Sequence, residues 1–441
     1  MKCLIIAAGK GSRLSNKGNS KPLVTLLGLT LIERTILTAR ECGINDFFVV
    51  TGYEGEKVRH YLDKLGQRTN TNITNVINEE WEKGNGISVL KARGLIKEPF
   101  ILLMADHLFD YSILEDLKKE QISEDEIILA VDRNIESNRL VDIDDVTKVL
   151  IEDNKITAIG KNISNYNAYD TGIFLCSPVL FHAIEDSFLS TGDSTLSGGI
   201  RLLSGNGNAK IFDVQDSYWI DVDDEQAFNK AENLLIRNLK KASDGPVSRY
   251  LNRPLSIRLT RLLLNTKIAP NHISIFAFIL GTLGAGFFFL GGYLNLIIGG
   301  ILAQIASVVD GCDGEIARLK FKASEFGGWF DAVLDRYGDA FLLFGLTYHV
   351  YWIDGRFLYI IIGFLAIIGT FMNSYTADKY DGLMLKKLKP GMHYFRIGRD
   401  VRTFIILLGA LVNQPLSILI LIAFITNAEN VRRVLILYKN G

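Results

Sequence analysis

The pattern of apolar and polar positions divides the chain near residue 240. Before this point, short apolar runs alternate with helical patterns, which predicts an α/β domain. After it, long runs of Phe, Leu, Ile and Gly predict about six segments of roughly 20 residues, the length of a bilayer-spanning helix. The second and fifth segments have the weakest pattern. The six segments cover residues 273–291, 294–314, 327–350, 357–376, 401–413 and 415–431.

The first part predicts strands and a helix in alternation. Residues 3–8 (CLIIAA) predict a buried parallel strand that runs into a Gly-rich turn, and further strands are expected at 45–53, 72–78 and 99–109. A helix is expected at 29–42. Asp106 lies near the carboxyl end of the last strand, where α/β sheets bind ligands, although a helix N-cap is the alternative for this residue.

Composition adds limits to this picture. A chain of 441 residues is long enough for two or more domains. The net charge of -1 excludes no partner, because the charges are unevenly distributed. The four cysteines are scattered without a CxxC pair, which indicates reduced thiols and argues against a disulfide scaffold or a zinc site. The apolar run at the N-terminus is too short for a signal peptide.

Basic residues flank alternate connections of the apolar part. They cluster at 249–267, 318–322, 379–402 and 432–439, whereas the connections near Gly292, Asp354 and Gln414 carry little positive charge. The positive-inside rule therefore predicts a membrane protein with both termini facing the cytoplasm. Residues 225–243 predict a helix, and 247–264 predict either an interfacial helix on anionic headgroups or a plain connecting helix.

Four carboxylates lie within the apolar part at helical spacing. Asp310 and Asp313 are three residues apart, and Asp331 and Asp335 are four apart, so each pair shares one helix face. No basic residue lies on those faces. Acids in membrane segments are costly unless paired, and hard divalent cations take carboxylate ligands. A metal site facing the cytoplasm is predicted, and solvated helix ends are the alternative.

The first motifs resemble those of nucleotidyltransferases that join a phosphorylated alcohol or sugar to a nucleotide. AAGKGSRL, followed by Lys21-Pro22-Leu23 and the strand-end Asp106, carries the resemblance, which covers about residues 1–230. It implies a Rossmann-like domain in which Lys21 stabilises the transferring phosphorus and Asp106 binds magnesium. The residues implied for the base and the triphosphate are Ala8, Gly9, Gly11, Ser12 and Arg13.

Three further segments extend this resemblance. GNGIS at 84–88 is similar to the nucleobase-contacting segment of cytidylyltransferases, which implies Gly84, Asn85 and Ser88. YDTGIF at 169–174 resembles the strand that approaches the acceptor. WIDVDD at 219–224 resembles the segment that supplies the second metal carboxylate, with Asp221 preferred over Asp223. A solvated turn is the alternative for this acidic run. For the first domain as a whole, the alternative is a regulatory nucleotide-binding domain without catalytic turnover.

The second resemblance is to the CDP-alcohol phosphotransferases. The pattern Asp310-x-x-Asp313-Gly314-x-x-Ala317-Arg318, then Gly327, Asp331 and Asp335, matches their motif without a gap, and the resemblance covers about residues 255–441. It implies an all-α domain of six transmembrane helices, usually a homodimer, that uses two divalent metals. The metal ligands implied are Asp310, Asp313 and Asp331, with Asp335 bridging to the acceptor.

Other roles follow from the same resemblance. Asp335 is the implied general base, Gly314, Ala317 and Gly327 make room for cytidine, and Arg318 contacts phosphate or closes the site. Asp339 continues the acidic row but lies outside the motif, which favours a structural role. We also expect a phosphate of the acceptor to bind the basic residues Lys379, Arg399 and Arg402, although topology alone could explain this basic loop.

Together the two halves resemble a fused family with inositol-1-phosphate cytidylyltransferase and di-inositol-phosphate phosphate synthase activities. That family implies domains at 1–232 and 257–441, joined by a helical linker at 233–256. It implies CTP, inositol-1-phosphate and CDP-inositol as ligands, magnesium or manganese in both halves, and a solute precursor as product. Membrane lipids are expected partners and nucleic acid is not. The identity of the polyol is implied by this resemblance alone.

Two alternatives stay open. The first keeps both chemistries but joins the cytidylyltransferase to a phospholipid synthase that uses a lipid alcohol or CDP-diacylglycerol. The second is a transporter whose acidic row conducts ions under nucleotide control, for which the phosphotransferase motif is not needed.

Overall fold

The structure is a computed structural model that describes residues 1–440 apart from 15, 19, 137, 139, 241–243 and 385–397. For residues 378–384, 437, 439 and 440 it describes the helical backbone without the side chains. The chain forms two compact units, Met1–Leu235 and Ile236–Gly441.

The first unit is built on a nine-stranded mixed sheet with the order β5-β4-β1-β6-β11-β8-β12-β10-β9. β1 pairs in parallel with both β4 and β6, and β11 pairs antiparallel with β6 and β8. β7 and β13 form a separate antiparallel pair, as do β2 and β3. The strands are β1 Lys2–Ala7, β2 Thr25–Leu26, β3 Leu29–Thr30, β4 Asp46–Thr51, β5 Asn72–Ile77, β6 Phe100–Met104, β7 His107–Phe109, β8 Ile127–Asp132, β9 Lys148–Glu152, β10 Lys155–Gly160, β11 Ala168–Cys176, β12 Ala209–Asp213 and β13 Trp219–Asp221.

Two apolar cores cover the two faces of this sheet. Side chains alternate across a strand, so Ile5 and Leu103 join one core while Leu4 and Leu102 join the other. Helices pack on both faces, and the first of them begins at the Thr30 cap. The helices are α1 Leu31–Glu41, α2 Gly55–Thr69, α3 Asn85–Leu90, α4 Tyr111–Leu117, α5 Val179–Thr191, α6 Leu196–Gly205 and α7 Glu225–Arg237.

The predicted strands of this unit are confirmed, with one refinement. The segment expected as a single strand at 99–109 forms β6 and β7, which are separated by a turn at Ala105 and Asp106. Because the chain turns there, Asp106 leaves the sheet directly after the buried strand.

The second unit is entirely helical in the residues that the structure describes. A short π-helical turn, Ser248–Asn252, leads into α8, and each predicted apolar segment overlaps one of the six helices that follow. α8 covers Arg253–Leu263, and the six helices after it are α9 Pro270–Phe289, α10 Tyr293–Leu319, α11 Glu325–Asp354, α12 Phe357–Met384, α13 Arg399–Leu411 and α14 Pro415–Asn440.

Three helices among the described residues are long and apolar enough to cross a membrane: α9, α10 and Phe357–Ala377 of α12. α13 has 13 residues and therefore extends only about 20 Å, which is less than a hydrocarbon core of about 30 Å. The first half of α11 carries several acids. Six transmembrane spans thus stay a prediction, whereas a helical domain with three candidate spans is established.

Candidate active sites

The first site lies where neighbouring strands of the first unit end. β1 and β6 are adjacent and parallel, so Ala8 and Gly9 after β1 lie at the same edge of the sheet as Asp106 after β6. β13 pairs with β7 in a register that sets Asp221 opposite His107. This topology gathers residues from three distant parts of the sequence at the carboxyl edge, the usual ligand-binding edge of an α/β sheet.

A cavity of about 870 Å³ opens at this edge, within the size range of small-molecule sites. It brings together residues from most of the predicted nucleotidyltransferase segments, although Lys21, Pro22 and Leu23 are not among its lining residues. Its lining includes Ala8, Gly9, Arg13, Asn85, Ser88, Asp106, Asp170, Asp221 and Asp223.

Gly11 and Lys21 fit closely against each other. Gly11 has a positive φ of 61°, and a Cβ built on it would lie 2.3 Å from the Cβ of Lys21. Lys21 begins a short 3-10 helix with Pro22, and its side chain is 8% exposed. The turn requires glycine at residue 11 for both reasons, and it fixes the stem of the lysine beside the cavity. Ser12 is exposed in the helical turn that follows.

The predicted phosphate-binding cations contact the predicted metal carboxylates. Lys21 donates to Asp106 and to Asp223, and Arg13 donates to Asp223 at 2.7 Å. Arg13 also contacts Asp145 at 2.6 Å, a partner that the sequence analysis did not identify. The predicted phosphate-binding cations and the predicted metal ligands are therefore in direct contact at one place in the first unit.

Asp221 differs from Asp223 in its surroundings. Its Oδ1 lies 3.7 Å from the Lys21 ammonium and, among the described residues, is buried without a hydrogen-bond partner. Asp106, His107 and Asp221 each offer a ligand atom, and these atoms lie within 4.8 Å of one another. An orphaned carboxylate oxygen inside such a group fits a divalent cation.

The electrostatics of this cluster follow from burial and from the neighbouring charges. Burial alone would raise the pKa of Asp106, but the Lys21 charge and the hydrogen bond with His107 outweigh it and lower the pKa. Burial raises the pKa of Asp221, because attraction to His107 offsets it only in part. Burial would lower the pKa of His107, but the charge of Asp221 and the bond to Asp106 raise it.

Two residues missed by the sequence analysis complete this site. His107 lies 2.9 Å from Asp106, and its position next to that acid in the sequence was the available signal. Asp170 lines the cavity, and burial raises its pKa to about 6. Its hydrogen-bond donor in the described structure is the N–H of Gly172, at 2.8 Å.

The predicted nucleobase segment is held by the chain before α6. The Gly84 N–H donates to the Ser194 hydroxyl at 3.1 Å, and the Asn85 side-chain oxygen accepts from the Leu196 N–H at 2.8 Å. The Ser88 hydroxyl accepts from Asn78 at 3.0 Å. In both of these bonds the side-chain oxygen of Asn85 or Ser88 is the acceptor, and both residues line the cavity. Within the described part of the chain, their donor groups therefore remain for a ligand.

The second site lies among α9, α10, α11 and α13. Asp310 and Asp313 project from α10, and Asp331 and Asp335 from α11, as their spacing predicted. Asp310, Asp331 and Asp335 offer carboxylate oxygens within 4.8 Å of one another, and Asp331 Oδ1 is buried without a hydrogen-bond partner in the described structure. This group also fits a divalent cation. Asp313, which lies outside this group of three, accepts from the Ser274 hydroxyl and the Gly314 N–H.

α13 supplies two cations that face the acids of α10 and α11. Arg399 contacts Asp335 and lies 3.2 Å from Asp310, and Arg402 donates to Asp339 at 2.6 Å. Both arginines thus face the acidic row, and the structural role expected for Asp339 agrees with its contact to Arg402. Their predicted contact with an acceptor phosphate stays a prediction, and the Lys379 side chain lies outside the described residues.

The small residues of the motif lie along α10 and at the start of α11. A Cβ built on Gly314 would lie 3.1 Å from the Arg318 guanidinium, and one built on Gly327 would lie 3.1 Å from the Ser324 hydroxyl that caps α11. Ala317 is half-buried. Arg318 donates to the Leu239 carbonyl at 3.3 Å. The room predicted for a nucleotide at these positions stays a prediction.

Comparison with known proteins defines the class of both halves. Residues 3–183 match the family described as the MobA-like NTP transferase domain, and residues 267–428 match the CDP-alcohol phosphatidyltransferase family. The chain is therefore an enzyme that combines a nucleotidyltransferase domain with a CDP-alcohol phosphatidyltransferase domain in a membrane protein. Both families generally use divalent metals, in agreement with the two carboxylate groups.

Relatives match the chain along its whole length. A protein of Rubrobacter xylanophilus named bifunctional IPC transferase and DIPP synthase is 34% identical, over 99% of this chain and 96% of its own length. The protein of that name from Aquifex aeolicus is 30% identical, over 99% and 98%. The chain belongs to the family of bifunctional IPC transferases and DIPP synthases. A solved structure, the inositol-1-phosphate CTP transferase from T. maritima, is 26% identical with a TM-score of 0.48, over 53% of this chain and 94% of that one.

Proposed function

We propose that the chain catalyses two consecutive reactions of inositol-1-phosphate. The first unit joins it to CTP, giving CDP-inositol and pyrophosphate. The second unit transfers the inositol phosphate of CDP-inositol to a second inositol-1-phosphate, giving a phosphorylated di-inositol phosphodiester and CMP. The observation that carries this proposal is the presence of two separate carboxylate groups, each facing fixed cations, in one chain whose relatives are named for two such activities.

In the first reaction the acceptor is a phosphate monoester, so its oxygen attacks the α-phosphorus of CTP without a strong base. Lys21 and Arg13 hold the phosphates that gain negative charge as pyrophosphate leaves. Asn85 and Ser88 line the cavity and contact the base. Asp106 and Asp221 are the proposed metal ligands, because Asp221 has an oxygen without a hydrogen-bond partner among the described residues, whereas Asp223 is engaged by both cations.

In the second reaction the nucleophile is a hydroxyl, which needs a base. Asp335 takes the hydroxyl proton, and the oxygen attacks the inositol-bearing phosphorus while CMP leaves. Arg399 holds the phosphate of the acceptor, a role supported by its contact with Asp335. Asp310, Asp313 and Asp331 are the proposed ligands of a divalent cation, magnesium or manganese. Such a cation neutralises the diphosphate and the leaving group when it is bound in either unit.

The arrangement in the membrane belongs to the same proposal. Six spans, a cytoplasmic location for both sites and a homodimer through the helical domain extend the three candidate spans. The domain bounds are proposed at 1–232 and 257–441, with the linker between them. Nothing in this arrangement requires a nucleic-acid partner.

Two variants of the full chain separate the reactions. Membranes receive CTP, magnesium and labelled inositol-1-phosphate. We expect Asp335→Asn to release pyrophosphate and accumulate CDP-inositol without releasing CMP. We expect Asp106→Asn to form no CDP-inositol but to release CMP when CDP-inositol and inositol-1-phosphate are added. Asp354→Asn, at the other end of α11, is the matched control and should keep both reactions.

The location of the label tests the product. Label in a water-soluble diester supports the proposal, whereas label that enters the organic phase favours the phospholipid synthase. CMP release that survives in Asp335→Asn would remove that residue from the mechanism.

A further inference from the structure

Glu315 is a fully buried acid on the helix that carries two of the motif carboxylates. It lies in α10 between Asp313 and Ala317, and none of its surface is exposed. An α-helix turns about 100° per residue, so Glu315 points about 140–160° away from Asp310 and Asp313. The motif roles described above leave this acid unexplained, and a buried charge is costly unless it is paired.

α8 supplies all the hydrogen bonds that the described structure gives the Glu315 carboxylate. One oxygen accepts from Arg253 at 2.8 Å and from the Ser256 hydroxyl at 2.6 Å, and the other accepts from the Thr260 hydroxyl at 2.7 Å. The three donors occupy successive turns of one face of α8. The back of the motif helix is thereby attached to the helix that precedes the first span.

Arg253 is shared with a second acid. It donates to both oxygens of Asp244, at 2.9 and 3.0 Å, and its side chain is 9% exposed. Arg253 is therefore the cation of a buried Asp244–Arg253–Glu315 triad. Arg253 is therefore buried within the helical unit, whereas Arg258 on the same helix is exposed.

We propose that the Asp244–Arg253–Glu315 triad is a positioning device for the second active site. It fixes the rotation of α10 on α8, and so it sets the direction in which Asp310 and Asp313 face the cluster on α11. Arg253 and Glu315 are positioning residues and contact no substrate. The functional part of this inference rests on the proposed phosphotransfer; the structural part does not.

The test uses the full chain in lipid nanodiscs. The variants are Arg253→Met, Arg253→Lys, Glu315→Gln and the double variant Arg253→Met with Glu315→Gln, and Arg258→Met is the exposed control on the same helix. Amide hydrogen exchange of residues 310–319 is measured without metal. The magnesium concentration that gives half-maximal CMP release is measured from added CDP-inositol, and pyrophosphate release by the first unit is the internal control.

We expect Arg253→Met to accelerate exchange in 310–319 and to raise the half-saturating magnesium concentration about 10- to 100-fold, the usual effect of losing a group that supports a metal ligand. Glu315→Gln should have a smaller effect on the exchange rate and on the magnesium requirement, because Arg253 keeps its ion pair with Asp244. Arg253→Lys should recover part of the loss. The double variant should perform better than Arg253→Met alone, because one fewer buried carboxylate is left without its cation. Pyrophosphate release should stay at the wild-type level in every variant. Arg258→Met should match the wild type in both exchange and magnesium dependence.

Unchanged exchange and magnesium dependence in Arg253→Met and Glu315→Gln would overturn the inference, as would losses in the double variant that multiply those of the single variants. If Arg253→Met does not insert, Arg253→Lys and Glu315→Gln decide the same question. A wild-type chain without CMP release would overturn the proposed function, whereas the exchange measurement would still decide the positioning role.

Discussion

Arg399 in α13 contacts Asp335 in α11, although 64 residues separate them in the sequence. The same guanidinium lies 3.2 Å from Asp310, and its side chain is 12% exposed. The cation therefore lies against the proposed base and inside the acidic group. A negatively charged acceptor that binds beside Asp335 would therefore lie close to this cation.

Replacing Arg399 should affect the acceptor more than the donor. We expect Arg399→Gln to raise the KM for inositol-1-phosphate about 10- to 100-fold, since a hydrogen bond to a charged group contributes about 1.5–3 kcal/mol. The KM for CDP-inositol should change much less. Initial rates of CMP release with each substrate varied in turn measure both. Arg356→Gln, exposed at the opposite end of the helical unit, is the control, and equal effects on the two constants would contradict the assignment.

Asp221 and Asp223 should differ in their effects on the first reaction. Asp221→Asn removes the acid with the orphaned oxygen, so we expect pyrophosphate release to fall about 100-fold and to need more magnesium. Asp223→Asn removes a partner of Lys21 and Arg13 but keeps the metal group, so its magnesium dependence should match the wild type. Magnesium titrations of pyrophosphate release separate the two. If Asp223→Asn needed more magnesium and Asp221→Asn did not, Asp223 would be the metal ligand.

Gly11→Ala should slow the first reaction through Lys21. The added methyl group would overlap the lysine stem, and the positive φ disfavours alanine, so the turn must shift and move the ammonium away from Asp106. We expect kcat for pyrophosphate release to fall about 10-fold or more, as for loss of one charge-stabilising group. Gly94→Ala is the control, because its methyl group would meet open space. A Gly11→Ala variant with normal kcat would show that the turn does not position Lys21.

Short-range spacing predicted the carboxylates of the second site. Asp310 with Asp313 and Asp331 with Asp335 share helix faces at fixed intervals, and any α-helix carries such pairs on one side. The end of a buried strand predicted Asp106 for a similar reason. These residues depend on local geometry alone, so the sequence was sufficient for them.

Partners from distant segments could not be predicted in this way. The contact of Arg399 with Asp335 depends on how α13 packs against α11, and that of Arg253 with Glu315 depends on how α8 packs against α10. No periodicity in one segment contains that information. The number of spans was uncertain for a different reason, because the apolar pattern is weakest in the second and fifth segments. The second segment forms α10, which is a candidate span, whereas the fifth forms α13, which has only 13 residues.

Asp170 predicts a pH dependence of stability in the first unit. Its pKa in the folded chain is raised to about 6 by burial, whereas an aspartate in an unfolded chain titrates near 3.9. The folded state therefore binds this proton more tightly. The resulting stabilisation is complete below about pH 4 and is lost as the pH rises through about 6, so the ionised Asp170 destabilises the fold at pH 8.

Asp170→Asn should remove this dependence, because its side-chain oxygen can still accept from Gly172 but carries no charge. At pH 8 we expect the variant to gain up to about 3 kcal/mol in the free energy of opening around β11, and near pH 4 we expect no gain. Amide hydrogen exchange of residues 168–176 in the full chain, corrected for the intrinsic exchange rate, measures this free energy. Asp186→Asn, exposed on α5, is the control and should show no gain at either pH. A gain that grows as the pH falls would have the wrong sign, and it would mean that the carboxylate of Asp170 is stabilised in its charged form.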